Sequence, residues 1–231
     1  MKYKHLFFDL DHTLWDFEAN AKLTMQELFH SLNLKEKGID DFDRFYNNYL
    51  LLNEKLWEQY RKGTISQNDL RFKRMWLALL EFKIADKKLA MEMNCQFLDL
   101  LPTRTILFPY TKEILSYLQN KNYCLHLITN GFEKVQLCKL EHSGLTPFFK
   151  EIITSESSNS IKPKKEIFEF AFNKAAALPH ESIMLGDNIE VDILGAMNAG
   201  MDQVFINYDK IETPAKPTFT IYSLKELEAI F

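Results

Sequence analysis

At 231 residues the chain has room for one large domain or two of ordinary size. Its 46% hydrophobic and 26% charged residues are those of a globular protein with an ordinary core. A formal charge of -4 speaks against a nucleic-acid surface, and no apolar run approaches the span of a membrane helix, so neither a nucleic-acid polymer nor a membrane is expected as a partner.

The chain opens with an apolar, aromatic run that predicts a strand over residues 3–10, ending on Asp9 and Asp11. Residues two apart in a strand project from one face, so the two carboxylates point the same way. No cleavable signal pattern precedes them. From Phe17 to Leu101 the pattern is helical: proline is absent, and glycine appears only at Gly38 and Gly63. Leu50, Leu51, Leu56, Trp57 and Tyr60, then Phe72, Trp76, Leu79 and Leu80, recur at helical spacing, which predicts a bundle of roughly four helices with Trp57 and Trp76 in its core. Ser66 with Asp69 reads as a capping box. Arg71 and Arg74 read as a solvated helix face.

Beyond Pro109, short β-rich runs at residues 123–128, 151–154, 183–185 and 204–206 alternate with helical segments near 112–120, 133–143, 164–176 and 190–199. Such alternation predicts a mostly parallel sheet wrapped by helices, with residues 3–10 as its first strand. The expected organisation is a discontinuous core, residues 1–16 and 102–231, with a helical domain, 17–101, inserted after the first strand. The tail around Pro214 and Pro217 reads as a loop, and Ser223 with Glu226 as a capping box opening a short closing helix. Cys95, Cys124 and Cys138 show no paired spacing, as expected of reduced thiols in a cytoplasmic protein.

The chemically interesting groups all follow predicted strands: Asp9 and Asp11, then Thr129-Asn130-Gly131, then Lys162-Pro163, then Asp187 in Gly186-Asp187-Asn188 with Asp192 beyond it. In a parallel sheet those ends lie on one edge. Each has an ordinary reading: a loop, a turn, a solvated lysine, an acid capping the next helix. Together, three acids, a hydroxyl and a lysine are the parts of a metal-assisted phosphoryl transfer.

In that order and spacing the motifs resemble those of the haloacid-dehalogenase-like hydrolase superfamily, whose D-x-D-x-T is Asp9-Leu10-Asp11-His12-Thr13 here. The resemblance implies an α/β fold, a Rossmann-like mostly parallel sheet core with an inserted helical-bundle cap domain. It implies Asp9 as nucleophile and Asp11 as general acid and base. Thr129 and the Asn130 N–H would bind phosphoryl oxygens, and Lys162 would neutralise nucleophile and phosphate. Mg²⁺, or Mn²⁺ or another divalent ion, would be held by the Asp9 and Asp187 carboxylates and the Asp11 carbonyl, with Asp192 and Thr13 behind them. Where relatives carry glycine before the lysine stands Asn159, which tolerates a left-handed backbone. Lys164 and Lys165 read as a solvated helix start.

Dehalogenating members lack an acid at the position of Asp11, because a halide leaves without a proton, so the resemblance favours phosphate-ester hydrolysis. Asp11-x-Thr13-Leu14-Trp15-Asp16, the segment from Trp57 to Ile65, and Thr129-Asn130-Gly131-Phe132 are similar to pyrimidine 5′-nucleotidases of the YjjG type. The expectation is a small phosphorylated substrate and a cytoplasmic monomer or homodimer. Phe17, Arg71 and Arg74 are candidates to contact the leaving group. The alternatives are a sugar-phosphate or 2-phosphoglycolate phosphatase, and an idle binding protein of the same fold.

Overall fold

The computed structural model describes residues 2–231. The chain divides into two compact units, one built from the segment ending at Phe17 together with Thr105–Phe231, the other from Glu18–Arg104.

The first unit is built on six parallel strands: β1 (His5–Phe8), β2 (Cys124–Thr129), β3 (Glu151–Thr154), β4 (Ser182–Gly186), β5 (Asp202–Ile206) and β6 (Phe219–Ile221), in the order β3-β2-β1-β4-β5-β6. Residues on both faces of β1, β2 and β4 are buried, which is why these strands read as apolar runs without alternation. On one face Phe7, Ile128, Ile153 and Met184 pack with Phe168, Phe172, Ala196 and Met201. The chain leaves β1 in one direction across the sheet and reaches β4 in the other. The carboxyl ends of these neighbouring strands therefore flank the point where strand order reverses, the usual ligand crevice of an open α/β sheet.

The second unit is helical: α1 (Phe17–Ser31) opens just ahead of it, followed by α2 (Phe42–Arg61), α3 (Gln67–Leu80) and α4 (Lys87–Leu100). Asp41 and Asp86 cap α2 and α4 through their side chains, and Ser66 with Asp69 forms the expected reciprocal capping box on α3. Its core is Phe45, Tyr49, Leu70, Met75, Ala78, Met93 and Phe97. Trp57 and Trp76 lie at the edge of that core and are only half-buried, because their helical positions fall beside the stripe that α2 and α3 bury. Arg74 reverses the expectation of a solvated face: it is buried, donates to Asn94 Oδ1 at 3.2 Å and lies over the Phe97 ring.

The remaining helices of the first unit are α5 (Thr111–Asn120), α6 (Glu133–Ser143), α7 (Lys165–Ala175) and the short α8 (Gly195–Asn198). Two departures from expectation fall in the last segments. Residues 219–221, just beyond the loop at Pro214 and Pro217 and within no expected strand, add β6 beside β5. The short closing helix forms at Leu224–Ala229 with Ser223 as its cap, accepting from Lys225 N, but it is a 3-10 helix and the Glu226 carboxylate accepts from Tyr222 N instead of Ser223 N, so the reciprocal box does not form. All three cysteines are free. No helix among the described residues is long and apolar enough to cross a membrane.

Candidate active site

Asp9 lies one residue beyond β1, where its N–H donates to Leu185 O at 2.9 Å and ties the acid to the end of β4. Thr129 closes β2 and Asp187 follows β4 directly. Lys162 enters from the loop after β3. Its ammonium is 1% exposed and donates at 2.7 Å to Asp9 Oδ1, Asp192 Oδ1 and the Ile128 carbonyl. It is therefore a fixed bridge between two carboxylates and not a solvated loop lysine. The loop that delivers it turns at Asn159, with φ of 51°, the left-handed conformation expected of asparagine there. The Asn130 side chain fixes the loop, accepting from Lys162 N at 2.8 Å and donating to Lys162 O at 2.9 Å. Lys164 and Lys165 are exposed, as a solvated helix start should be.

The stretch after β4 is a single turn of π-helix, Ile189–Leu194, the wide-turn form often found at functional sites. Asn188, not Asp187, caps it, accepting from Val191 N at 2.9 Å, which leaves the Asp187 carboxylate for the site. Asp192 folds back beneath Gly186. A Cβ at Gly186 would stand 2.4 Å from Asp192 Oδ2, so only glycine lets that carboxylate lie there. Thr13 Oγ1 donates to Asp187 Oδ1 at 2.8 Å.

Carboxylate oxygens of Asp9, Asp187 and Asp192 all come within 4.8 Å of one another. Three carboxylates against one ammonium leave two negative charges uncompensated. Burial pushes Asp9 up to about 8, with Asp192 and Asp187 adding to the rise and Lys162 opposing it. Burial and Asp192 likewise push Asp187 up to about 7 against the pull of its bond from Thr13. Burial disfavours the charge on Lys162, but Asp192 and Asp9 outweigh it and hold the ammonium above the usual lysine range. An all-oxygen donor set with surplus negative charge fits a hard divalent cation such as Mg²⁺. Asp192 spends its oxygens on Lys162 and Asn188 N, so Asp9 and Asp187 are the carboxylates left to face such an ion.

The Asp11 carboxylate is not part of that trio. Lys139 Nζ donates to its Oδ1 at 2.5 Å and Gln136 Nε2 to its Oδ2 at 2.8 Å, and the same Gln136 nitrogen donates to Thr129 Oγ1 at 2.7 Å. Thr129 Oγ1 also accepts from Gly131 N at 3.1 Å, which leaves its own proton to offer. Gln136 and Lys139, both on α6, were not singled out in the sequence. Nor was Tyr208, whose hydroxyl donates to Thr13 O at 2.9 Å while its ring stacks on Phe108. The legible signal was on α6, where Gln136, Lys139, Leu140 and Ser143 form the buried stripe, mostly polar, while Leu137 is exposed.

Across residues 3–200 the sequence matches the family pattern of haloacid dehalogenase-like hydrolases. It is 32% identical over 233 residues to the pyrimidine 5′-nucleotidase PynA of Streptococcus pneumoniae, covering 98% of this chain and 94% of the relative. It is 31% identical over 236 residues to the pyrimidine 5′-nucleotidase YjjG of Escherichia coli, covering 100% and 98%. A glyceraldehyde 3-phosphate phosphatase of Methanothermobacter thermautotrophicus is 32% identical over 217 residues, covering 90% and 88%. The crystal structure of the HAD-hydrolase YfnB from Bacillus subtilis, bound to magnesium, superimposes with a TM-score of 0.90 at 28% identity, covering 100% of this chain and 99% of that one. The chain belongs to the haloacid dehalogenase-like hydrolase family and is a phosphatase.

Proposed function

We propose that the protein hydrolyses nucleoside 5′-monophosphates, pyrimidine nucleotides foremost, through a phosphorylated Asp9. The observation that carries the reading is the Lys162 bridge. It fixes one oxygen of Asp9 at the end of β1 and leaves the other to attack, with Thr129 and Asp187 at the ends of the adjoining strands.

In the first half-reaction an Asp9 oxygen bonds to phosphorus while the bond to the leaving oxygen breaks, and Asp11 gives that oxygen its proton. In the second, water attacks phosphorus, Asp11 takes the water's proton, and the Asp9–phosphate bond breaks to restore the carboxylate. The Thr129 hydroxyl donates its free proton to a phosphoryl oxygen, and Asn130 offers its N–H, since its side chain is committed to Lys162. Lys162 balances charge on both nucleophile and phosphate. Asp192 positions Lys162, and Thr13 positions Asp187. A divalent cation held by the Asp9 and Asp187 carboxylates and the Asp11 carbonyl would neutralise the entering phosphate and orient its oxygens.

The helical unit, inserted a few residues beyond Thr13, is the element we assign as the cap that selects the leaving group. Of the three residues expected to contact the leaving group, Phe17 and Arg71 stand ahead of Arg74, because Arg74 is buried and bonded to Asn94. Two pyrimidine 5′-nucleotidases matched over nearly the whole chain support the nucleotide leaving group and a small phosphorylated substrate. The glyceraldehyde 3-phosphate phosphatase, at equal identity, supports a sugar-phosphate phosphatase as the second reading. A binding protein with an idle site is disfavoured because every group the chemistry needs is present.

Magnesium-dependent release of phosphate from p-nitrophenyl phosphate, abolished by Asp9→Asn, is the expected result. No turnover by the folded protein overturns the enzyme reading. A panel of nucleoside monophosphates, sugar phosphates and phosphoglycolate compared by kcat/KM then fixes the class. The nucleotidase reading fails if pyrimidine nucleotides are not among the best substrates.

A further inference from the structure

Lys139 is 3% exposed, and among the described residues its one ion-pair partner is Asp11. Its ammonium also lies 4.2 Å from the centroid of the fully buried Trp15 ring and 5.5 Å from that of Phe17. A lysine in such a place gives up most of its hydration, and a methionine or leucine would fill the same space at less cost. Something other than packing has to account for an ammonium there. The geometry at Asp11 supplies it. Lys139 takes one carboxylate oxygen and Gln136 the other, so rotation about the carboxyl is blocked from both sides. These two bonds use about half of the lone-pair sites of a carboxylate, which leaves positions for the proton that Asp11 must carry. Through the second bond of the Gln136 amide, the orientation of Asp11 is tied to Thr129, the hydroxyl assigned to the phosphate. The clamp requires Gly131, where a Cβ would stand 1.9 Å from Gln136 Nε2.

We propose that Lys139 is a positioning residue for the proton carrier: with Gln136 it holds the Asp11 carboxyl at the orientation from which both proton transfers occur. The proposal rests on the reading of Asp11 as general acid and base. Lys139 itself touches neither substrate nor phosphate.

The test is Lys139→Met, compared on an alkyl phosphomonoester, uridine 5′-monophosphate, and on p-nitrophenyl phosphate. Departure of the nucleoside needs the Asp11 proton, whereas p-nitrophenolate leaves without one. With the nucleotide, kcat falls about 100-fold, the usual cost of a misplaced catalytic group, while KM is unchanged. With p-nitrophenyl phosphate, Asp9 is still phosphorylated quickly but hydrolysis of the phosphoenzyme is slow, so stopped-flow records a burst of p-nitrophenolate followed by slow turnover. Lys139→Arg, which keeps the charge, recovers most of the nucleotide rate. In an Asp11→Asn background, Lys139→Met alters turnover of p-nitrophenyl phosphate less than about twofold, because the residue it serves is gone.

Wild-type rates for folded Lys139→Met on both substrates overturn the proposal. So does an equal loss on both without a burst, or an equal loss in the Asp11→Asn background, since a lysine that serves only packing gives those results. If Lys139→Met does not fold, Gln136→Leu, which removes the other half of the clamp, is held to the same outcomes. Failure of the underlying reading is a separate result: the wild-type protein then releases no phosphate, or Asp11→Asn turns the nucleotide over as fast as wild type.

Discussion

Replacing Lys162 with methionine removes the one ammonium that, among the described residues, bridges this carboxylate trio, in which Asp192 is buried and Asp9 and Asp187 are partly buried. The lysine makes three bonds of 2.7 Å, two of them to carboxylates. Bonds of that kind are worth about 1.5–3 kcal/mol each, and breaking a buried pair from one side costs about 3–5 kcal/mol, because the remaining charge stays desolvated. The penalty depends on pH in a definite direction. In the native protein, burial, with the neighbouring acids adding to it, pushes Asp9 up to about 8 and Asp187 up to about 7 from an ordinary 3.8. Between about pH 4 and pH 8 the native state therefore holds protons that the unfolded chain has released, and without bound cation stability falls as pH rises through that window. Removing Lys162 raises both carboxyls further. The loss in Lys162→Met is thus about 3–5 kcal/mol at pH 8.5 and at most half of that at pH 5. Urea unfolding in chelator at the two pH values measures it. A loss under about 1 kcal/mol at pH 8.5, or one that does not grow with pH, refutes the electrostatic account of the site.

Other expectations follow from single contacts. Gly186→Ala forces a Cβ against Asp192, so it uncouples Lys162 and lowers kcat by about 100-fold in a phosphate-release assay. His126 is fully buried, stacked on Phe7, and pushed down to about 3 by burial and by His5. Because the unfolded chain takes up that proton below about pH 6.5, stability falls as pH drops from 6.5 toward 3, by up to about 4 kcal/mol. A His126→Phe variant loses that acid sensitivity in unfolding curves at pH 4 and pH 7. Arg74 is buried with a neutral partner, Asn94, and its Nε has no hydrogen-bond partner among the described residues. Arg74→Met is therefore expected to melt no lower than wild type in thermal unfolding.

The sheet was legible because its strands are buried on both faces and carry continuous apolar runs, as in Phe7-Phe8 and Ile183-Met184-Leu185. β6 escaped because Phe219–Ile221 is three residues long, at the sheet edge, and follows Pro214 and Pro217. The grouping of Asp9, Thr129, Lys162 and Asp187 was readable from strand-end logic, since parallel strands bring their carboxyl ends to one edge whatever lies between them. The partners of Asp11 were not. Gln136 and Lys139 sit on a helix whose apolar pattern is weak because the stripe it buries faces the site instead of the core. A polar stripe at positions 136, 139 and 143 directly after Thr129-Asn130-Gly131 was the available signal. Arg74 shows the reverse failure, a charged residue on the buried side of α3 where composition alone predicts solvent.

The central claim is that Asp9 becomes phosphorylated. Acid quench of the protein during turnover of p-nitrophenyl phosphate, followed by mass mapping of the peptide that contains Asp9, tests it directly. A hydroxylamine-labile phosphoryl group on Asp9, absent in Asp9→Asn, is the predicted result. Turnover with no phosphoryl group on that peptide, or undiminished turnover by Asp9→Asn, contradicts the account.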